Sequence, residues 1–346
     1  MRLEITRPDD WHLHLRDGDV LADVVPHTVR RFARAIVMPN LKPPVTTVAE
    51  AAAYLERILA AVPAGESFEP LMTLYLTDRT QPSELEAARE SGFIHGVKFY
   101  PAGATTNSEN GVTSWERVRD CMAAMESVDL PLLLHGEVTD PDIDIFDRER
   151  VFLERHLGPL REDHPGLRIV LEHVTTADSV EFVRQAGERT AATITAHHLI
   201  WNRSEIFRGG LRPHAYCLPV LKRERQREAL VAAATGDDPR FFLGTDSAPH
   251  ARGAKESDCG CAGIYTAHAA IELYAQAFDD AGALDRLEAF ASQRGPDFYG
   301  LPRNTEKLTL ECSDQQVPAE LPFGRDHLVP MYAGESIRWS LASQDD

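Results

Sequence analysis

Four histidines and one aspartate lie at the ends of short apolar runs in the sequence. His12 and His14 alternate with leucines in the run DWHLHL, His135 follows LLL, His173 follows IVLE, and Asp246 follows FFLGT. Residues two positions apart in a strand point to the same face, so His12 and His14 can share one ligand. Imidazole and carboxylate are the groups that zinc prefers, and an unpaired buried carboxylate is costly. Together these five side chains predict a cation-binding centre.

Lys98 ends another apolar run, GVK at residues 96–98. A lysine in a dry interior is expensive as an ammonium ion, so its pKa should fall. One interpretation is an ordinary ion pair, with Asp246 as a candidate partner. The other is that the neutral amine takes up carbon dioxide and becomes a carbamate, an anion whose two oxygens can bridge two cations.

The elements that would position these residues follow an alternating order of β-rich and amphipathic helical runs. Such alternation predicts a parallel α/β sheet, and eight units fit a (β/α)₈ TIM-type barrel, in which the carboxyl ends of the strands converge on one face. The predicted strands cover residues 11–15, with 3–5 leading into them, and 35–38, 71–76, 96–100, 132–135, 169–173, 192–197 and 241–244. The predicted helices include residues 48–62, 83–91, 114–127, 148–157, 177–186 and 224–235.

Two segments depart from this repeat. Residues 102–113 are polar and contain two glycines, which predicts a mobile loop after the fourth strand. From about residue 307 the pattern changes to short strands at 307–311 and 336–341, and residues 307–346 are interpreted as a C-terminal cap. The expected organisation is therefore one barrel domain over residues 1–346.

Composition limits the classes of partner. The formal net charge is −18, which disfavours nucleic acid or an anionic membrane surface. Apolar runs fall short of the ~18 residues of a membrane helix, and residues 1–6 lack a signal pattern, so we expect a cytoplasmic protein. Five cysteines do not form a disulfide framework. Cys259 and Cys261 lack a second pair, so reduced thiols in a loop are favoured over a structural metal site.

The chemistry-bearing residues resemble, strand by strand, the ligand set of the binuclear amidohydrolase superfamily. Within it, several runs resemble signatures of the dihydroorotase family: residues 10–18 (DWHLHLRDG), 37–40 (VMPN), 96–101 (GVKFYP), 244–250 (GTDSAPH) and 255–263 (KESDCGCAG). The resemblance covers approximately residues 3–340. It favours the single-domain bacterial type, because the first metal motif begins at residue 12 and leaves no room for the N-terminal half of the β-sandwich of hydantoinase-like relatives.

The resemblance implies two Zn²⁺ ions per chain, bridged by the N6-carboxylated side chain of Lys98 and by a hydroxide. It implies that one ion is held by His12, His14, carboxylated Lys98 and Asp246, and the other by carboxylated Lys98, His135 and His173. Asp246 would also act as general base and then as general acid toward the leaving nitrogen.

The implied reaction is the reversible hydrolysis of (S)-dihydroorotate to N-carbamoyl-L-aspartate in de novo pyrimidine biosynthesis, by a homodimer. Arg16 lies two residues beyond His14 and can grip a carboxylate bidentately. The resemblance adds further substrate contacts: the side chains of Asn40 and His250, backbone groups of Leu218 and Ala262, and the loop threonines Thr105 and Thr106. Arg16 could instead pair with Asp17 or Asp19 at the surface, and the loop could be a passive excursion.

Other interpretations remain open. His197 and His198, at the end of the seventh predicted strand, are expected to pack or to support the ligands rather than to bind metal. A hydantoinase-like cyclic-amide hydrolase would keep the metals, but it has no need of the clamp formed by Arg16, Asn40 and His250. A non-catalytic dihydroorotase-like scaffold would be expected to lose ligands, whereas all six metal positions are filled here.

Overall fold

The computed structural model describes residues 1–342, and its central feature is a sheet of eight parallel strands in chain order. Each strand pairs with the next one in sequence, as the alternating pattern predicts. The strands are Asp9–Leu13, Arg34–Val37, Glu69–Tyr75, Ile94–Phe99, Leu132–Leu134, Ile169–Leu171, Thr190–Ile194 and Phe241–Leu243.

The barrel closes between its first and eighth strands through residues at their carboxyl ends. The Asp246 N–H donates to the His12 carbonyl at 2.9 Å, and the His14 N–H donates to the Ser247 carbonyl at 3.1 Å. Closure therefore depends on the backbone of the same short segments that carry the predicted ligands, so that these segments are fixed relative to each other.

A separate apolar cluster fills the barrel interior beneath this end. Trp11 is fully buried and stacks on Tyr299, with ring centroids 4.4 Å apart. A Cβ at Gly295 would lie 1.9 Å from Trp11 Nε1, so that position has no room for a side chain. The cluster consists of Trp11, Ile36, Met38, Leu71, Leu133, Val170, Ala191, Phe242 and Tyr299. The interior beneath the strand ends is thus a packed core.

Helices surround the barrel and bury their apolar sides against it. The α-helices are Leu21–Val29, Val48–Ala60, Pro82–Glu90, Arg119–Ser127, Arg148–Phe152, Gly158–Asp163, Ala177–Gln185, Ala196–Ile200, Glu224–Thr235, Arg252–Lys255, Ala270–Asp280 and Arg294–Tyr299. The predicted helix at 114–127 begins as a 3₁₀ turn, Trp115–Val118, and the one at 148–157 continues through a π turn, Leu153–Leu157, into Gly158–Asp163.

The cap differs from the prediction at the N-terminus. Arg2–Thr6 does not lead into the barrel sheet; it pairs antiparallel with Lys307–Gln316, which pairs in turn with Ser336–Leu341. Leu3 lies opposite Leu310, so apolar side chains of the two strands are paired across the sheet. A short hairpin, Leu321–Phe323 with Asp326–Leu328, completes this segment. Residues 343–346 of the predicted cap lie outside the described residues.

Residues 102–113 form a loop, as predicted. An isolated β-bridge between Pro101 and Val112 joins the two ends of this loop. Cys259 and Cys261 are free thiols in the segment after Arg252–Lys255. Within residues 1–342 there is no helix with the length and apolar character needed to cross a membrane.

Candidate active site

The predicted metal ligands converge at the carboxyl ends of the barrel strands and are all buried. Five of them line one cavity, while Lys98, which is fully buried, lies outside the lining. The described residues around the cavity are His12, His14, Arg16, Asn40, Tyr100, Thr105, Thr106, His135, His173, Leu218, Asp246, Ala248, Ala262 and Gly263. Tyr100, Ala248 and Gly263 were not predicted as site residues; each lies next to, or two residues from, one that was.

His12, His14 and Asp246 meet at one point. Asp246 Oδ1 lies 3.3 Å from His12 Nε2 and 3.1 Å from His14 Nε2, and the two Nε2 atoms are 3.2 Å apart. Three atoms with ligand lone pairs so close together are the arrangement that a divalent cation occupies in proteins.

The tautomer of His14 supports a cation at this point. Burial lowers the pKa of His14 to about 4, so the ring is neutral near pH 7. Its Nδ1 lies 2.8 Å from Asn40 Oδ1, and the Asn40 amide nitrogen donates to the Thr106 carbonyl at 3.4 Å. With its proton on Nδ1, His14 presents a lone pair at Nε2 to the Asp246 carboxylate. Two electron-pair donors facing each other at 3.1 Å are stabilised by a cation between them.

His135 and His173 form the second part of the predicted set. Their ring centroids are 4.9 Å apart, and the His173 ring lies 5.0 Å from that of His12. Burial lowers the pKa of His173 well below its usual value. The buried His173 Nδ1 has no hydrogen-bond partner among residues 1–342, whereas His135 Nε2 lies 3.3 Å from Glu137 Oε2. The orphaned nitrogen is consistent with a ligand whose ion is supplied from outside the chain.

The ion pair suggested between Lys98 and Asp246 is wrong. Lys98 Nζ contacts Glu172 Oε2 instead, and Glu172 Oε1 lies 3.0 Å from His12 Nδ1. Burial lowers the pKa of Lys98, and the nearby Glu172 only partly opposes this shift. The lowered pKa raises the fraction of neutral amine, which is the form that can take up carbon dioxide.

Glu172 was missed because a regular strand would point it away from His173. His173 has φ of 43°, a left-handed conformation that breaks the alternation, so both side chains reach the centre. The one signal in the sequence was the adjacency of a carboxylate to a ligand histidine at a strand end.

Arg16 is oriented toward the cavity. Its Nε donates to the Pro249 carbonyl at 3.0 Å and one Nη lies 3.0 Å from His250 Nε2, while the buried Nη1 has no partner within the described chain. The alternative ion pair with Asp17 is not formed, because Asp17 pairs with Arg57 at 2.8 Å. A guanidinium with an unused buried donor can bind an anionic group in the cavity.

The loop at residues 102–113 lies over the cavity. Thr106 Oγ1 accepts from the Ala262 N–H at 3.1 Å and donates to the Ala262 carbonyl at 3.4 Å. Asn107 Nδ2 donates to the Asn40 carbonyl at 3.1 Å, which holds the loop to the other side. The Thr106 hydroxyl thus occupies both backbone groups of Ala262. His250 Nε2 also contacts the Ala262 carbonyl, at 3.0 Å.

His197 and His198 do not end a strand: they lie in the helix Ala196–Ile200, which Thr195 caps by accepting from the His198 N–H. His198 Nδ1 contacts Thr195 Oγ1 at 2.8 Å, and its Nε2 contacts the Pro219 carbonyl at 3.1 Å. Both ring nitrogens of His198 are therefore used, which favours a packing role beside the Leu218 segment over metal binding. Burial lowers the pKa of His197 to about 4.

The chain is similar to known proteins over almost its whole length. The model of the amidohydrolase family matches residues 9–310. The dihydroorotase of Cupriavidus taiwanensis is 69% identical over 338 residues, which cover 98% of each chain. The crystal structure of dihydroorotase from Campylobacter jejuni matches with a TM-score of 0.90 at 35% identity, covering 99% of this chain and 98% of that one.

A dihydroorotase from Saccharomyces cerevisiae, crystallised with 5-fluoroorotic acid, has a TM-score of 0.89 at 32% identity and the same coverage of both chains. The relatives thus match almost the whole length in sequence as well as in fold. This chain belongs to the amidohydrolase family and, within it, to the dihydroorotases.

Proposed function

We propose that the protein is a two-metal dihydroorotase that hydrolyses (S)-dihydroorotate reversibly to N-carbamoyl-L-aspartate. One observation carries the proposal: the lone-pair atoms of His12, His14 and Asp246 meet within 3.3 Å of one another. In the same cavity wall Arg16 offers a buried donor for an anion. A cyclic amide that bears a carboxylate satisfies both features at once.

The proposed ligand residues fit two zinc ions. His12, His14 and Asp246 would hold one ion, His135 and His173 the other, and Lys98, as a carbamate, would contribute to both. The bound ions supply Lewis-acid chemistry, polarising the amide carbonyl and lowering the pKa of a water molecule toward neutrality. Two zinc ions and a carboxylated lysine are part of this proposal.

The remaining steps belong to the chain's own residues. The Asp246 carboxylate accepts a proton from the attacking water at Oδ and returns it to the ring nitrogen as the amide bond breaks. In the reverse direction Asp246 takes the proton from the ureido nitrogen as it attacks the carboxylate carbon, and it delivers that proton to the oxygen that leaves as water.

Binding of the substrate would use groups on opposite walls of the cavity. The Arg16 guanidinium, with Asn40 and His250 beside it, would hold the carboxylate, and the backbones of Leu218 and Ala262 would pair with the ring amides. Thr105 and Thr106 would close the loop over the bound ring. Thr106 Oγ1 now hydrogen-bonds with both backbone groups of Ala262, so the loop already reaches across the cavity, and Thr106 would exchange these two bonds for bonds to the ring when substrate enters.

Initial rates with matched cyclic amides test the proposal. We expect the zinc-loaded protein to hydrolyse dihydroorotate. The loss of dihydroorotate absorbance measures the rate. Dihydrouracil lacks only the carboxylate and forfeits a charge-assisted contact of about 1.5–3 kcal/mol, so its kcat/KM should be lower by at least about tenfold. Preference for hydantoin or dihydrouracil would identify a different cyclic-amide hydrolase, and no turnover of any of them would favour a scaffold.

Three further predictions accompany the function. A place in pyrimidine biosynthesis follows from the proposed substrate, and a cytoplasmic location and a homodimer stay predictions. Light scattering of the purified protein tests the dimer directly, since a monomer mass at micromolar concentration would contradict it.

A further inference from the structure

Lys255 is a buried lysine outside the metal centre. It ends the short helix Arg252–Lys255, and only 3% of its surface is exposed. Its Nζ donates to three backbone carbonyls: Tyr216 at 2.8 Å, Cys261 at 2.8 Å and Gly263 at 2.7 Å. An ammonium group has three N–H donors, so this side chain uses all of them on main-chain oxygens.

The three carbonyls belong to the two segments that carry the proposed backbone contacts to substrate. Tyr216 precedes Leu218 by two residues, and Cys261 and Gly263 flank Ala262. Leu218 and Ala262 both line the cavity, whereas Lys255 lies outside the residues found to line it. The Gly263 N–H also donates to the Tyr216 carbonyl at 3.0 Å, which joins the two segments directly.

These segments have little room to shift. A Cβ at Gly263 would lie 2.7 Å from Ala248 Cβ and 3.0 Å from His250 Cδ2, so the backbone packs closely against the segment that follows the eighth strand. Burial lowers the pKa of Lys255 to about 8. Burying an ammonium ion is costly, and that cost is offset here chiefly by the three carbonyls, with the Tyr216 ring 5.7 Å from Nζ as a further contact.

We propose that Lys255 is a positioning residue that fixes the backbones of Leu218 and Ala262 at the distance the substrate ring requires. The proposal rests on the proposed function for the part played by those two backbones. Lys255 itself touches neither substrate nor metal ligands; it acts by tying together two segments that are about 45 residues apart in the chain.

Replacing Lys255 with methionine tests whether its three hydrogen bonds hold the two segments together, because methionine keeps most of the side-chain length and removes all three donors. We expect Lys255→Met to raise KM for dihydroorotate at least tenfold while kcat changes less than threefold and metal content stays unchanged. Amide hydrogen exchange in residues 216–218 and 261–263 should become faster. Lys255→Arg keeps the charge and several donors and should recover part of both effects.

Lys222→Met is the matched control. Lys222 is also buried, at 5% exposure, but its Nζ donates to a single carbonyl, Val220, at 3.1 Å. We expect this variant to leave KM and the exchange of residues 261–263 unchanged. Equal effects of the two methionine variants would overturn the proposal, since the loss of any buried amine would then be enough to raise KM and speed the exchange.

Unchanged KM and unchanged exchange in folded Lys255→Met would also overturn it. If Lys255→Met does not fold, Lys255→Arg decides the question by the same two measurements. If the unaltered protein does not hydrolyse dihydroorotate, the proposed function fails. Amide hydrogen exchange in the two segments then tests by itself whether Lys255 holds them together.

Discussion

Glu172 Oε1 lies 3.0 Å from His12 Nδ1, and both residues are almost completely buried. The two atoms do not form a well-aligned hydrogen bond, so the contact acts through charge: the carboxylate favours the proton on the nearer nitrogen, Nδ1, and leaves the Nε2 lone pair facing His14 and Asp246. The second oxygen of Glu172 contacts Lys98 Nζ. One carboxylate thus orients a proposed ligand of the first ion and the proposed bridge between the two ions.

Glu172→Gln should therefore weaken metal binding. Partners that orient a ligand histidine typically contribute about 10- to 100-fold to metal affinity, and we expect a loss in that range. Competition with a fluorescent zinc chelator measures it. Glu137→Gln is the control, because Glu137 contacts only His135 among the proposed ligands and should weaken one ion rather than both. Unchanged affinity in Glu172→Gln would show that its contacts to His12 and Lys98 do not orient them.

Lys98→Ala removes the proposed bridge. We expect the variant to lose metal and to lose kcat by more than about 100-fold, because the bound ions contribute several kcal/mol to the reaction. A short carboxylic acid added in solution should restore part of the activity by occupying the place of the carbamate. Full activity of Lys98→Ala without added acid would mean that the lysine is only an ion-pair partner of Glu172.

Arg16→Ala should act on binding more than on chemistry. The guanidinium holds a carboxylate in both ground and transition states, so KM should rise about 10- to 100-fold while kcat changes little. Arg57→Ala is a suitable control: Arg57 pairs with Asp17, the neighbour of Arg16, but at the surface. A fall in kcat with constant KM in Arg16→Ala would contradict the clamp.

Most of the proposed metal centre could be predicted from the sequence because its residues follow the simplest rules of barrel geometry. His12 and His14 share a face by strand periodicity, and His135, His173 and Asp246 follow apolar runs whose ends converge. The local sequence pattern of each segment was enough to predict that these side chains converge. The order of the eight strands followed from the same alternation.

The residues that sequence reasoning missed depend on backbone turns and distant pairings. Glu172 reaches the centre because His173 adopts a left-handed conformation, which no local pattern indicates. His197 lies in a helix because Thr195 caps it just after the strand. Lys255 was not identified because its carbonyl partners come from two separate loops. Such contacts are set by tertiary packing and are invisible to periodicity.

The most direct test of the account is dihydroorotate hydrolysis by chelator-treated protein titrated with Zn²⁺. We predict negligible turnover without metal, then activity that rises with added zinc and reaches its plateau at about two ions per chain, as two cooperating ions require. Full activity with no more than trace metal, confirmed by elemental analysis, would contradict the two-metal mechanism. Absence of turnover in the fully reloaded protein would contradict the proposed substrate.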